Sequence, residues 1–293
     1  MDFVLSALVH ATPLLLTGLA VALAFRAGVW NIGAEGQFYA GAIAAAWIGT
    51  RWGLTSGPAG LLLIPAAALL AGALWAGIPA LLRARFGVLE VITTIMLNFV
   101  AEHLVGLLVH GPLQEAARTY PQSDPLATAA RLPALVAGAR LTIAFPVGML
   151  LCVAVWLLLE RTRPGFALRA AGANPLAARV SGRIAVGRVT ALAFVASGAL
   201  AALAGAAEVS GVTFALYERL SPGYGYTAIA VALLARLHPL GVIASALFFG
   251  TLEALAAVLQ RSWGVPSVTV YLVEALVILA VVAGDRAWRR RDG

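Results

Sequence analysis

The sequence contains no lysine: all twenty of its basic residues are arginine. A Walker-type phosphate loop requires a lysine after glycine, so the chain cannot bind ATP through such a loop. Cysteine is nearly absent as well. The single Cys152 lies in an apolar run, which excludes a disulfide framework and a thiolate metal cluster and reads as a small buried hydrophobe. Aspartate occurs only at positions 2, 124, 285 and 292, too dispersed for a diphosphate–metal site. There is no H-E-x-x-H, and neither Ser197 nor Ser210 lies in the G-x-S-G context of an intramembrane protease. No catalytic residue and no metal ligand is assigned. Charge is scarce too, at 11% against about 25% in soluble domains.

What fills the sequence is apolar: 61% hydrophobic residues, with a mean hydropathy of +0.93. Inside lipid the backbone must pair with itself, which leaves helices or a closed barrel. The runs here are long, rich in Ala, Leu and Val, and do not alternate. The expected fold is therefore all-α, a polytopic membrane bundle of about nine spans, since each crossing takes roughly 20 residues. The spans are expected near 4–24, 37–50, 59–82, 90–109, 141–159, 186–206, 224–235, 239–258 and 267–284. Segment 224–235 is short for a crossing and reads as half of a broken helix. The first stretch lacks a basic n-region and continues as a full span, so it reads as a retained helix rather than a cleaved signal. Residues 1–293 are expected to form one transmembrane domain, because neither long connection, 110–140 or 160–185, could bury a core of its own.

The net charge of +7 does not point to nucleic acid. One set of connections carries Arg26, Arg83, Arg85, Arg161, Arg163, Arg169, Arg179, Arg183, Arg188, Arg236, Arg286, Arg289, Arg290 and Arg291, fourteen in all. The opposite set carries six: Arg51, Arg118, Arg131, Arg140, Arg219 and Arg261. Arginine-rich short loops stay in the cytoplasm, which puts the first set inside, residue 1 outside and the C-terminal end inside.

Polar residues interrupt the spans in three places. The stretch "FRAGVWNIGAEGQ" sets Asn31, Glu35 and Gln37 among three glycines. A carboxylate facing lipid is unfavourable, so a broken helix or re-entrant turn is expected there. Such a break either lines the central path or forms a hydrogen-bonded knot between helices. In "EVITTIMLN", Glu90, Thr94 and Asn98 recur at i, i+4 and i+8 and share one helix face, with Thr93 beside it. That stripe suits a neutral polar solute or interhelical packing equally. A second glycine-rich break, "SPGYGYTAIAVALLARLHPLG", has a similar layout. Its Tyr224 and Tyr226 fit an interfacial anchor better than a stacking platform. Glu102, His103, Glu208, Glu253 and Glu274 read as structural.

The inner loop 160–185 is the best organised connection. "GFALRAAG" favours helix and is expected to stop at Gly172; Asn174 then offers an N-cap and Pro175 a first helical residue. "LAARVS" follows, closed by Gly182. Arg179 falls in the middle of this short helix and Arg183 just past its end. Reversing direction takes two to eight residues, so a structured loop of this length is expected to serve a partner rather than only to touch headgroups.

"FRAGVWNIGAEGQFYAG", "LEVITTIMLNFVA", "LRAAGANPLAARVSG" and "GYGYTAIAVALLARLHPLGVIASALFFG" together resemble, in order and over nearly the whole chain, the permease subunits of bacterial ABC importers for nucleosides and simple sugars. These belong to the branched-chain amino acid and ribose permease superfamily. The resemblance implies a coupling helix within 165–183, seated in a cleft of a separate ATPase subunit, with Arg169, Gly172, Asn174, Pro175, Ala178, Arg179 and Gly182 at the coupling surface. It implies ATP and Mg on that ATPase and no cofactor on this chain. A second permease subunit and an extracytoplasmic solute-binding lipoprotein or periplasmic protein are further implied, the latter docking near 110–140 and 207–223. Members usually carry one more N-terminal helix, which would make ten spans. The expected location is the bacterial inner membrane. The expected cargo is a nucleoside, with a ribose- or galactose-type sugar as the alternative. A secondary transporter or channel is the rival from another class, and it would not need the inner helix.

Overall fold

The computed structural model describes residues 2–51 and 59–264, with six further helical positions between 269 and 279. The expected ninth span falls for the most part outside the described residues, as do Glu274 and the arginines from 286 to 291.

Ten α-helices make up the described chain: α1 (Asp2–Arg26), α2 (Ala34–Arg51), α3 (Ala59–Phe86), α4 (Glu90–Val109), α5 (Ala144–Arg161), α6 (Arg163–Ala173), α7 (Pro175–Val180), α8 (Val186–Glu208), α9 (Tyr224–Leu234) and α10 (Pro239–Trp263). A π turn, Val209–Thr213, extends α8. Among the described residues there is no β-strand, only two isolated bridges, Gln122 with Tyr217 and Ala134 with Thr142. The all-α expectation holds, and α4 occupies the span read from its sequence.

The count of nine is not reached among these residues. Six helices are long and apolar enough to cross a membrane: α1, α3, α4, α5, α8 with its π turn, and α10. The two others expected as spans, α2 and α9, differ for a physical reason. Helix α2 is enclosed: Phe38, Tyr39, Ala42, Ala45 and Ala46 are buried between α3, α4, α8 and α9. Protein rather than lipid solvates it, so it needs less hydropathy. Helix α9 has eleven residues, about 16 Å at 1.5 Å per residue, half of a hydrocarbon core of about 30 Å.

Helix α1 is central. Leu14, Leu19, Ala20, Val21 and Ala24 are fully enclosed by α5, α8, α9 and α10. Lipid gives no hydrophobic drive for helix association, so small residues and close backbone approach must supply contact. Between α2 and α8 they do so reciprocally. A Cβ on Gly41 would overlap the Ala202 carbonyl, and one on Gly205 would overlap the Phe38 carbonyl.

Candidate coupling surface and polar break

At the arginine-rich end, Thr162 opens α6 by accepting a hydrogen bond from the Gly165 N–H at 3.1 Å. The helix does not stop at Gly172 but runs to Ala173. Gly172 is there for closeness: a Cβ on it would overlap the Arg26 carbonyl oxygen at the end of α1. Asn174 caps α7, its Oδ1 accepting from the Ala177 N–H at 2.9 Å, and Pro175 is the first helical residue. Ala178 is buried with Ala171 and Val186, which fastens α7 to the start of α8. Gly182 closes the unit with φ +68°.

The outward face of α7 is apolar. Leu176 is 70% and Val180 79% exposed, one turn apart, with exposed Arg179 beside them. Neither residue was singled out in the sequence; the signal was an apolar pair at i, i+4 on the short capped helix, with Arg179 between them. Behind this face lies a cavity of about 460 Å³ whose walls include Gly28, Arg83, Gly172, Pro175, Arg179 and Phe194. Arg169 turns the other way. Its Nη1 lies 2.7 Å from Glu160 Oε2, while Arg26 Nη2 lies 3.4 Å from Oε1 of the same carboxylate. Glu160 therefore ties the loop to the end of α1, a role invisible in the sequence because Arg26 is 134 residues away.

Residues 27–33 then leave helical geometry before α2 begins. Asn31 Nδ2 donates to Gln37 Oε1 and to Ser197 Oγ, both at 2.9 Å. Asn31 Oδ1 accepts from the Gly33 N–H at 2.9 Å and from Gln37 Nε2 at 3.1 Å. Ser197 in turn donates to the Ala20 carbonyl at 2.6 Å. This is a buried knot joining α1, α2 and α8. Glu35 reaches elsewhere: its Oε2 accepts from the Gly225 N–H at 2.6 Å. A carboxyl oxygen at a helix N-terminus satisfies a free N–H group, so Glu35 caps α9 from 190 residues away. The two glycine-rich breaks thus meet.

The α4 stripe faces the same place. Asn98 Oδ1 accepts from the Gly36 N–H at 2.8 Å, and its Nδ2 donates to the Ile32 carbonyl at 2.9 Å and to the Tyr226 hydroxyl at 3.3 Å. Glu90 Oε1 lies 3.1 Å from Arg83 Nη1. Thr94 bonds back to the Glu90 carbonyl at 2.7 Å and packs against Gly33. Asn31, Glu35, Gln37, Glu90, Thr94 and Asn98 therefore gather around one break.

At the opposite end, segment 110–143 pairs with 210–217. Ser123 and Leu132 donate their N–H groups to Leu216 and Ser210, and the Arg131 guanidinium stands 4.5 Å above the Phe214 ring. Glu115 organises the tip. Its bonds from Gln122 and from the Tyr120 and Thr119 N–H groups hold its carboxyl below the usual value. Burial pushes the nearby Tyr217 phenol up.

These features, a clamped helix pair at the arginine-rich end of a bundle with a polar break, suit a transporter subunit. Residues 3–282 match the family described as the permease component of branched-chain amino acid transport systems, and the chain belongs to that family. It is 40% identical over 296 residues to a glucose ABC transporter permease, TsgB13, of Haloferax volcanii, covering 98% of this chain and 77% of that one. It is 39% identical to the guanosine ABC transporter permease NupP of Bacillus subtilis, covering 93% and 78%. A solved inward-facing metal-chelate type ABC transporter shares the fold, with a TM-score of 0.55, 18% identity, and coverage of 96% and 85%.

Proposed function

We propose that this chain is the membrane-spanning permease subunit of an ATP-driven ABC importer for nucleosides, acting as one domain and performing no covalent chemistry itself. The observation that carries this reading is the α6–α7 unit. It is capped at each helix start and clamped to α1, and it presents Leu176 and Val180 to solvent at the arginine-rich end. Exposed apolar side chains framed by polar ones suit a protein partner, here a separate ATPase that binds ATP and Mg. A second permease subunit and an extracytoplasmic solute-binding protein complete the assembly in a bacterial inner membrane. Motion of the ATPase pair moves α7 and, through Glu160 and Arg26, the polar break. The similarity to a glucose permease supports a simple sugar as the second reading.

The test is co-purification from membranes in mild detergent. Wild-type permease should retain an ATPase, and Leu176→Asp with Val180→Asp should lose it without altering the permease's own elution. Absence of an ATPase from the wild type overturns the reading in favour of a secondary transporter or channel. Uptake of labelled guanosine against labelled glucose by the reconstituted complex decides the cargo.

A further inference from the structure

Continue the α4 stripe outward in steps of four and it reads Glu90, Thr94, Asn98, Glu102, Gly106, His110. Each step of four residues drifts by about 40° around a helix of 3.6 residues per turn. The stripe therefore winds from the interior, where Glu90, Thr94 and Asn98 are buried, onto the surface, where Glu102 is exposed. Glu102 stands twelve residues into α4, about 18 Å along it, interior to a helix long and apolar enough to cross a membrane. An ionisable side chain within such a span faces protein or water, not lipid. On the first turn of α9, Tyr226 is 43% exposed. Its hydroxyl is held 3.3 Å from Asn98 Nδ2, one turn below Glu102, and it lies within electrostatic range of that carboxylate. Farther out, Gly106 leaves room for the Glu218 carboxylate, which lies 3.4 Å from His110 Nδ1. A polar track thus descends from the outer surface along a face this single chain leaves open.

We propose that the solute travels this track, with Glu102 and Tyr226 as its contact residues and Asn98 as the residue that positions Tyr226. The path then lies against α4 and the first turn of α9, closed by the second permease subunit, while Asn31 and Gln37 hold the bundle together. An ionised carboxylate is acceptor-only and suits the vicinal hydroxyls of a ribose or hexose. The Tyr226 ring offers an apolar face for the sugar or base. At the N-terminus of α9, the Glu35 cap fixes the helix that carries Tyr226.

This assignment rests on the importer reading, and the experiment separates the two. The complete complex, with ATPase and solute-binding protein, is reconstituted in phosphatidylethanolamine–phosphatidylglycerol vesicles as wild type and as Glu102→Cys, Tyr226→Cys and Leu150→Cys. Native Cys152 is buried and stays silent, and Leu150 is an exposed apolar control on α5. A membrane-impermeant thiosulfonate should label positions 102 and 226 but not 150, because thiols in lipid do not meet the reagent. Millimolar guanosine or glucose should remove that labelling. Labelling that neither solute blocks overturns the assignment, as does oxidative cross-linking of position 102 to a second copy in place of labelling. Glu102→Gln should lower uptake about tenfold, the effect of losing one charge-assisted hydrogen bond, with ATPase association intact; unchanged uptake overturns Glu102's role. If wild-type vesicles take up neither solute, the importer reading itself fails. If they do and position 102 stays silent, only this assignment falls.

Discussion

Gly172 and Gly182 stand in one loop, yet a methyl group added to each meets different physics. At Gly172 it would overlap the Arg26 carbonyl oxygen, so α6 must move off α1. Overpacking of this kind costs about 1–3 kcal/mol. At Gly182 nothing lies within 4 Å, and the cost is the left-handed backbone at φ +68°, about 1 kcal/mol. Gly172→Ala should therefore lower the thermal midpoint of the detergent-solubilised protein more than Gly182→Ala does. Equal shifts would mean that α6 is not clamped to α1. Asn174→Ala should cost about 1 kcal/mol of local helix stability, seen as faster exchange of the Ala177 amide, with the bundle's midpoint unchanged. The sequence made Asn174 legible because its side chain serves a residue three positions away. Gly172 misled because its reason for being glycine lies on another helix.

At the scale of elements, what could be read followed what is local. Helix α4 begins and ends where its apolar run does, and α7 sits where Asn174, Pro175 and Gly182 bracket it. The half-length of α9 was visible in the shortness of its run. What could not be read is α2's enclosure, since an Ala-rich helix looks alike in lipid and in protein. Nor could segment 110–143 be read, because its order comes from pairing with residues 210–217. That pairing carries a pH signature. Glu115 accepts from Thr119 and Tyr120 at 3.1 and 2.8 Å and from Gln122 at 2.7 Å, which lowers its folded pKa below the ordinary one. Its contribution is complete above the ordinary carboxylate value, and it is lost as pH falls through that value and the lowered folded one. Protection of the Thr119 and Tyr120 amides, taken against their intrinsic exchange rates, should therefore be steady above the ordinary carboxylate value and fall as pH drops through it. In Glu115→Gln, which keeps one acceptor oxygen but not the bond from Gln122, exchange should be faster at neutral pH and lack the acid step. An acid step that survives in the variant would assign it to another group.

Across the whole molecule, one chain of contacts links the α6–α7 surface to the open face of α4 and α9. Helix α7 rests on α8 through Ala178, and α6 grips α1 through Gly172 and the Arg26–Glu160–Arg169 cluster. Immediately after Arg26 the chain breaks, and the broken stretch ends at Glu35, which caps α9, the helix bearing Tyr226. Spatial continuity alone does not establish energetic coupling, and a double-mutant cycle measures it. Glu160→Gln keeps the size of the side chain and removes the charge that holds both arginines. Glu35→Gln keeps an acceptor for the Gly225 N–H and replaces the carboxyl with a neutral amide. Each alone should reduce solute moved per ATP hydrolysed without dissociating the ATPase. Distant independent sites add within about 0.5 kcal/mol, so if the break transmits motion, the double variant should depart from additivity by more. Once either joint is loose, loosening the other costs little, so the departure should be toward a smaller combined loss. Strict additivity would mean that α7 and α9 respond to the ATPase by separate routes, with the knot of Asn31, Gln37 and Ser197 acting as a fixed pivot between them.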